Sequence, residues 1–154
     1  MSTVYADTVV PVARSQESIR QLLIKFGARG VQFSEDFGNG RVGVKFGKAY
    51  GEETRTVSVA IKIPEPRKPR RGRSKPLAER WEQQRRRTYR AMHDWLKASF
   101  VAVEFGLMSF EDIFLSHFEW MMKDGSVTTI GSIFKPQLLS APKPDEAENI
   151  VVVN

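Results

Sequence analysis

Thr56-Val-Ser-Val-Ala-Ile-Lys-Ile63 runs directly into Pro64-Glu-Pro-Arg-Lys-Pro-Arg-Arg-Gly-Arg-Ser-Lys75, and the change of character at residue 64 decides the fold. In the first stretch Val57, Val59, Ile61 and Ile63 alternate with Thr56, Ser58, Ala60 and Lys62. Successive side chains of a strand point to opposite faces, so this period of two predicts one packed face and one wet face. In the second stretch twelve positions hold three prolines, one glycine and six basic residues. Such a composition cannot form a packed element, and it predicts an exposed, mobile basic linker or hairpin-like arm over 64–75.

Upstream, Val42, Val44 and Phe46 alternate with Arg41, Gly43 and Lys45, and Val31 and Phe33 alternate with polar neighbours. Phe37-Gly-Asn-Gly40 supplies the turn between these two strands, with residues that tolerate positive φ. The same hairpin reading accounts for Gly43 and Gly47, whose spacing fits neither a P-loop nor a dinucleotide fingerprint. Before the strands, Ile19, Leu22, Leu23 and Phe26 recur three or four apart, predicting a helix over 15–26. Ser15 is its expected cap, Glu17 favours its positive end and Gly27 is its stop. Residues 1–13 read as an extended lead-in or loose strand.

Downstream, Pro76 opens a long helix with Ser74 as its expected cap. Leu77, Trp81, Thr88, Met92, Trp95, Leu96, Ser99 and Val103 keep helical spacing up to a stop at Gly106. That is about 30 residues or about 45 Å, longer than a small core requires, so its first half is expected to project beyond the sheet. Ser109-Phe-Glu-Asp112 reads as a capping arrangement for a short helix. Phe110, Ile113, Phe114 and Phe118 are its apolar contacts. Trp120-Met-Met122 before Lys123-Asp-Gly125 reads as a short strand or turn entry, and 128–134 as a last helix ended by Pro136. The expected class is α+β: helix, three-stranded antiparallel sheet, Arg-rich linker, long helix and short C-terminal helices. Residues 1–140 form one domain (13–63 helix plus sheet, 64–75 linker, 76–140 mainly helical), with 141–154 as a flexible tail.

A chain of 154 residues with 41% hydrophobic residues has room for one core. Cysteine is absent, which excludes disulfides, thiol chemistry and Cys-ligated metals. No apolar run approaches the roughly 20 residues of a bilayer span, and the N-terminal residues lack the pattern of a signal peptide. These features predict a cytoplasmic protein without a membrane partner. The net charge is +6, but its distribution says more. Residues 64–90 hold eleven basic and three acidic side chains, 1–63 hold nine and six, and 91–154 hold four and nine. A concentrated basic segment of this kind points to an anionic partner.

The candidate nucleic-acid-binding residues are Arg67, Lys68, Arg70, Arg71, Arg73 and Lys75 of the linker and Arg80, Arg85, Arg86, Arg87 and Arg90 of the helix. Arginine predominates, which suits bidentate phosphate contacts. A continuous groove through Arg41, Lys45 and Arg55 would extend the surface. Of the nearby aromatics, Trp81 and Trp95 fall on the apolar stripe and are assigned to the core, while Tyr89 lies off it and is the candidate base-stacking residue. Glu35, Asp36, Glu52 and Glu53 sit at turns with no metal-specifying spacing. His93 and Asp94 are adjacent on a helix, where neighbouring side chains diverge, so they are not expected to form a dyad. No catalytic residue, metal or cofactor is assigned.

Glu79-Arg-Trp-Glu-Gln-Gln-Arg85, Lys97-Ala98, Ala102-Val-Glu-Phe-Gly-Leu107, Ser109-Phe-Glu111, Phe114-Leu115 and Asp124-Gly125 together resemble a family of small, uncharacterised proteins encoded by tailed bacteriophages and prophages. The resemblance covers roughly residues 13–139, and Glu119-Trp-Met-Met122 departs from the more aliphatic segment of that family. It implies a phage product acting in a bacterial cytoplasm and carries no site residues. The order helix, three strands, helix is also similar to the double-stranded RNA-binding domain and to single-strand annealing proteins, in topology alone. The expected function is a non-enzymatic nucleic-acid-binding accessory protein, DNA being favoured over RNA. The alternative is a protein–protein effector that binds an acidic host protein of a defence or transcription machine. Self-association is a third reading.

Overall fold

The computed structural model describes residues 4–69, 72 and 75–141. The elements are α1 (Val12–Lys25), β1 (Val31–Asp36), β2 (Arg41–Tyr50), β3 (Glu53–Lys62), α2 (Leu77–Glu104), α3 (Phe110–Phe114), a 3-10 turn (Leu115–His117), β4 (Glu119–Met121), β5 (Val127–Thr129) and α4 (Ile130–Ser140). β1, β2 and β3 pair antiparallel in that order, and β4 and β5 form a separate two-stranded hairpin. This is the expected α+β arrangement. Among the described residues no helix is long and apolar enough to cross a membrane.

The period of two in β2 and β3 sets the core. Val42, Val44 and Phe46 pair in register with Ile61, Val59 and Val57, so their side chains share one face. Ile19 and Leu23 of α1 and Tyr89, Met92, Leu96 and Phe100 of α2 close over it, with Phe110, Phe114 and Phe118 at one end. The aromatic end is densely packed: Phe26 stacks on Phe100 with ring centroids 4.6 Å apart, and Phe110 lies 4.6 Å from Phe114. Gly43 and Gly47 lie within β2 rather than in the hairpin turn. A Cβ at Gly43 would stand 2.8 Å from the Ser34 hydroxyl and 3.1 Å from the Val59 carbonyl, so close approach of the neighbouring strands accounts for it.

Both long helices stop at the expected glycines. Gly27 and Gly106 adopt φ values of +82° and +70°. The amide after each reaches back five residues, Ala28 to the Leu23 carbonyl and Leu107 to the Ala102 carbonyl. This is the Schellman arrangement, which needs a residue free to adopt positive φ. The starts differ from expectation. α1 begins at Val12 after Pro11, and Ser15 is not its cap but a buried residue one turn inside it. Val12 is itself buried, so packing extends the helix past its local signal. The N-cap of α2 is Pro76, and Ser74 lies outside the described residues.

The C-terminal region departs further. Residues 127–129 form β5, with Thr129 capping α4 by accepting from the Ser132 amide at 3.3 Å. α4 then continues through Pro136 to Ser140. Proline removes one intrahelical donor, and an exposed helix leaves the freed carbonyl to water. The expected capping box at Ser109 and Asp112 is present in both directions, at 3.0 and 3.1 Å. The flexible tail expected over 141–154 lies outside the described residues except for Ala141.

Candidate nucleic-acid interface

The candidate surface is built on the first half of α2, a helix of 28 residues. At a rise of 1.5 Å per residue it spans about 42 Å. Burial begins at Gln84, so only the first turns stand clear of the core. Chain leaving β3 lies against this half of the helix. The Glu65 carbonyl accepts from Gln84 Nε2 at 3.2 Å, and the Arg67 carbonyl accepts from Arg80 Nη1 at 3.1 Å. The described part of the linker therefore has no regular structure but is tied to α2. Arg70, Arg71 and Arg73 lie outside the described residues. Lys68 and Lys75 are exposed.

The N-terminal lead-in holds the same helix from the other side. Gln83 Nε2 donates to the Ala6 and Thr8 carbonyls, both at 2.9 Å, and Arg87 donates to the Val4 carbonyl at 3.0 and 3.2 Å. Tyr5 donates to Asp94, whose second oxygen lies 2.8 Å from His93 Nδ1. His93 and Asp94 thus do meet, contrary to expectation, because one oxygen of a short carboxylate reaches sideways to the neighbouring ring. Burial opposes ionisation of Asp94, but hydrogen bonds from Tyr5 and His93 prevail and hold its carboxyl below the usual range. Asp94 serves as a clamp for the lead-in.

Between lead-in, linker and helix lies a crevice of about 260 Å³. Arg67, Lys75, Arg80 and Arg87 line it together with Pro66, Gln83 and Gln84, and among the described residues no carboxylate does. Arg80 Nε is buried there without a hydrogen-bond partner among the described residues. Among the described residues, the lining is four cations with uncharged neighbours, a setting that favours an anion.

The remaining helix arginines are used differently. Arg85 makes a bidentate pair with Glu35 of β1 and a second contact of 3.2 Å with Glu82. The hydrogen bonds from Arg85 to Glu35 outweigh burial and raise the guanidinium pKa further. Arg86 faces Glu82 at 3.8 Å and Arg90 faces Asp94 at 3.9 Å, both one helical turn apart. The acids that offset the helix thus come from β1 and from α2 itself.

Tyr89 corrects the expectation of a stacking residue. It is fully buried, 6.3 Å from the Phe33 ring, and its hydroxyl donates to Glu35 at 3.1 Å. Burial, with the Glu35 charge beside it, pushes its pKa up to about 12. Tyr89, Met92, Leu96 and Phe100 recur three, four and four residues apart, and this spacing is the signal that places Tyr89 on the stripe. Trp95 packs on Phe114 and His117 at 5.6 Å, yet remains about a third exposed. Trp81 is 37% exposed and is not a core residue.

The wider groove does not form. Lys45 pairs with Glu119 at 2.5 Å and Arg55 with Glu53 at 2.9 Å, while Arg41 lines a separate cavity. Glu35 is held by Arg85 and Tyr89, and Asp36 accepts from Asn39 at 2.7 and 3.0 Å. Among the described residues no three acidic or histidine side chains gather as metal ligands. Comparison of the chain with protein-family models, with curated proteins and with solved structures gives no match.

Proposed function

We propose that this chain is a non-enzymatic nucleic-acid-binding accessory protein of phage or prophage origin, acting in a bacterial cytoplasm. It holds backbone phosphates in the crevice of Arg67, Lys75, Arg80 and Arg87 and along the adjoining linker, with DNA the favoured partner. The observation that carries this reading is that crevice: four cations converge without a lining carboxylate among the described residues. Elsewhere on the same helix each arginine faces an acid. Phosphates neutralised there release counterions, so affinity depends steeply on salt and little on sequence.

The test is fluorescence anisotropy of labelled DNA across a salt series. The double substitution Lys75→Gln/Arg80→Gln removes two cations and lowers the slope of log affinity against log salt by about 1.8 on duplex, or about 1.4 on single strands. No binding at low salt, or an unchanged slope, would sink the reading.

A second reading rests on a different surface. Trp120 and Met121 of the β4–β5 hairpin and Phe134, Leu138 and Leu139 of α4 are all more than half exposed. Exposed apolar side chains on this adjoining hairpin and helix fit a protein–protein effector of a host machine, or self-association. A stoichiometric host partner retained after nuclease digestion, and lost on Leu138→Ser/Leu139→Ser, favours the effector. A defined oligomer in light scattering favours self-association.

A further inference from the structure

Resting on the nucleic-acid reading, we propose that the cavity between the β1–β2 turn and the first turns of α2 takes an unpaired base, and that the ligand is therefore single-stranded. This cavity measures about 390 Å³, within the roughly 300–1,000 Å³ range of ligand pockets. Two aromatic side chains line it, Phe37 and Trp81. Phe37 is 88% exposed, yet the turn that carries it is firmly held. Asp36 accepts from the Asn39 backbone and side chain, and the Ile63 amide donates to the Gly40 carbonyl at 2.8 Å. A phenyl ring left in water on a held turn contributes little to folding, and it lines the cavity where it can cover a flat ring. Trp81 reaches the same cavity from α2, so the two aromatics come from elements distant in sequence.

The charge of the lining identifies the ligand further. Glu35, Asp36 and Glu82 outnumber Arg41 and Arg85, so this is not a second phosphate site. Glu35 is taken up by Arg85 and Tyr89, but Asp36 and Glu82 keep further lone pairs that can accept hydrogen bonds from exocyclic amines and ring N–H groups at the edges of bases. Arg41 pairs through its backbone in β2 and its charge acts on Asp36, but its guanidinium makes no hydrogen bond or salt bridge among the described residues and can serve base acceptors. A cationic peptide side chain also suits aromatics with carboxylates, but Arg85 already pairs with Glu35 and Glu82 and the Arg41 charge acts on Asp36, so these acids are largely offset. The linker connects the two sites: Ile63 lines this cavity, and Pro66 and Arg67 line the cationic crevice. One strand can then place a phosphate in the crevice and a base in the cavity. Duplex bases present edges rather than faces, which excludes them from stacking here.

The experiment compares anisotropy of a fluorescein-labelled single strand of about 15 nucleotides and its duplex, using the full chain. The parent protein binds the single strand more tightly. Phe37→Ala and Trp81→Ala each weaken single-strand binding by about tenfold, with duplex affinity and salt slope unchanged. Lys75→Gln/Arg80→Gln weakens both ligands. If only that crevice variant loses affinity, the base cavity is refuted while the nucleic-acid reading stands. If the parent binds neither ligand, both fall. Displacement of the single strand from the parent, but not from Phe37→Ala, by a short arginine peptide would assign the cavity to protein recognition and overturn the proposal. Because Phe37 is exposed, its variant melts like the parent, and loss of binding there cannot be ascribed to unfolding.

Discussion

The two halves of α2 share one helix and almost nothing else. In the second half Met92, Leu96, Ser99 and Phe100 are buried against the sheet and the aromatic end of the core. In the first half five arginines stand within eleven residues, from Arg80 to Arg90. Even there the arginines divide. Arg85 turns inward to Glu35, while Arg80 and Arg87 line the crevice. Local charge density does not measure an interaction surface, because a guanidinium already satisfied by a carboxylate has little to gain from a phosphate.

The largest break of this contrast comes from the core half. Phe100→Ala removes a ring that stacks on Phe26 and touches Phe110 and Phe114, and it should cost about 3–5 kcal/mol in a urea melt. DNA binding by the fraction still folded should be unchanged. Next is Arg85→Gln, which leaves the partly buried Glu35 carboxylate its hydrogen bond from Tyr89 but no Arg85 ion pair, and should cost about 2 kcal/mol while leaving the salt slope of binding near the parent value. A lowered slope with unchanged stability would show that Arg85 belongs to the interface after all. The crevice pair should behave in the opposite way. Lys75→Gln/Arg80→Gln should shift stability by no more than about 1 kcal/mol, while changing the salt slope as given above. The smallest effect concerns acid. Burial, helped by Lys135 beside it, lowers the pKa of His117, so the unfolded chain binds the proton more readily. Stability should therefore fall as pH drops below about 6.5, and His117→Asn should flatten that slope in melts between about pH 7 and 5.

Much of the fold was legible because the signals are local. Alternation in 41–46 and 56–63, the stops at Gly27 and Gly106 and the capping box at Ser109 each need only a few neighbouring residues, and each is found in the structure. The misjudged features depended on distant partners. Ser15 resembles a cap until Val12 is seen to be buried, and Pro136 resembles a stop until α4 is seen to continue in solvent. At the candidate site, the residue type was legible and the division of labour was not. Tyr89 looked available beside Arg90, yet Phe33 and Glu35 of β1 enclose it. Phe37, read only as part of a turn, proves the most exposed aromatic side chain of the described chain.

By itself the sequence determined the strand faces, the two helix stops and the concentration of arginine between residues 64 and 90. Periodicity, turn chemistry and charge act over a few residues, so they are written where they act. Only the tertiary structure decided which arginines line the crevice and which face Glu35, and whether Trp81 and Tyr89 look outward or inward. For Arg85 and Tyr89 the outcome depends on β1, some fifty residues away along the chain, being brought against α2 by burial of a shared apolar face, and for Arg80 and Arg87 on the linker and lead-in docking on the helix.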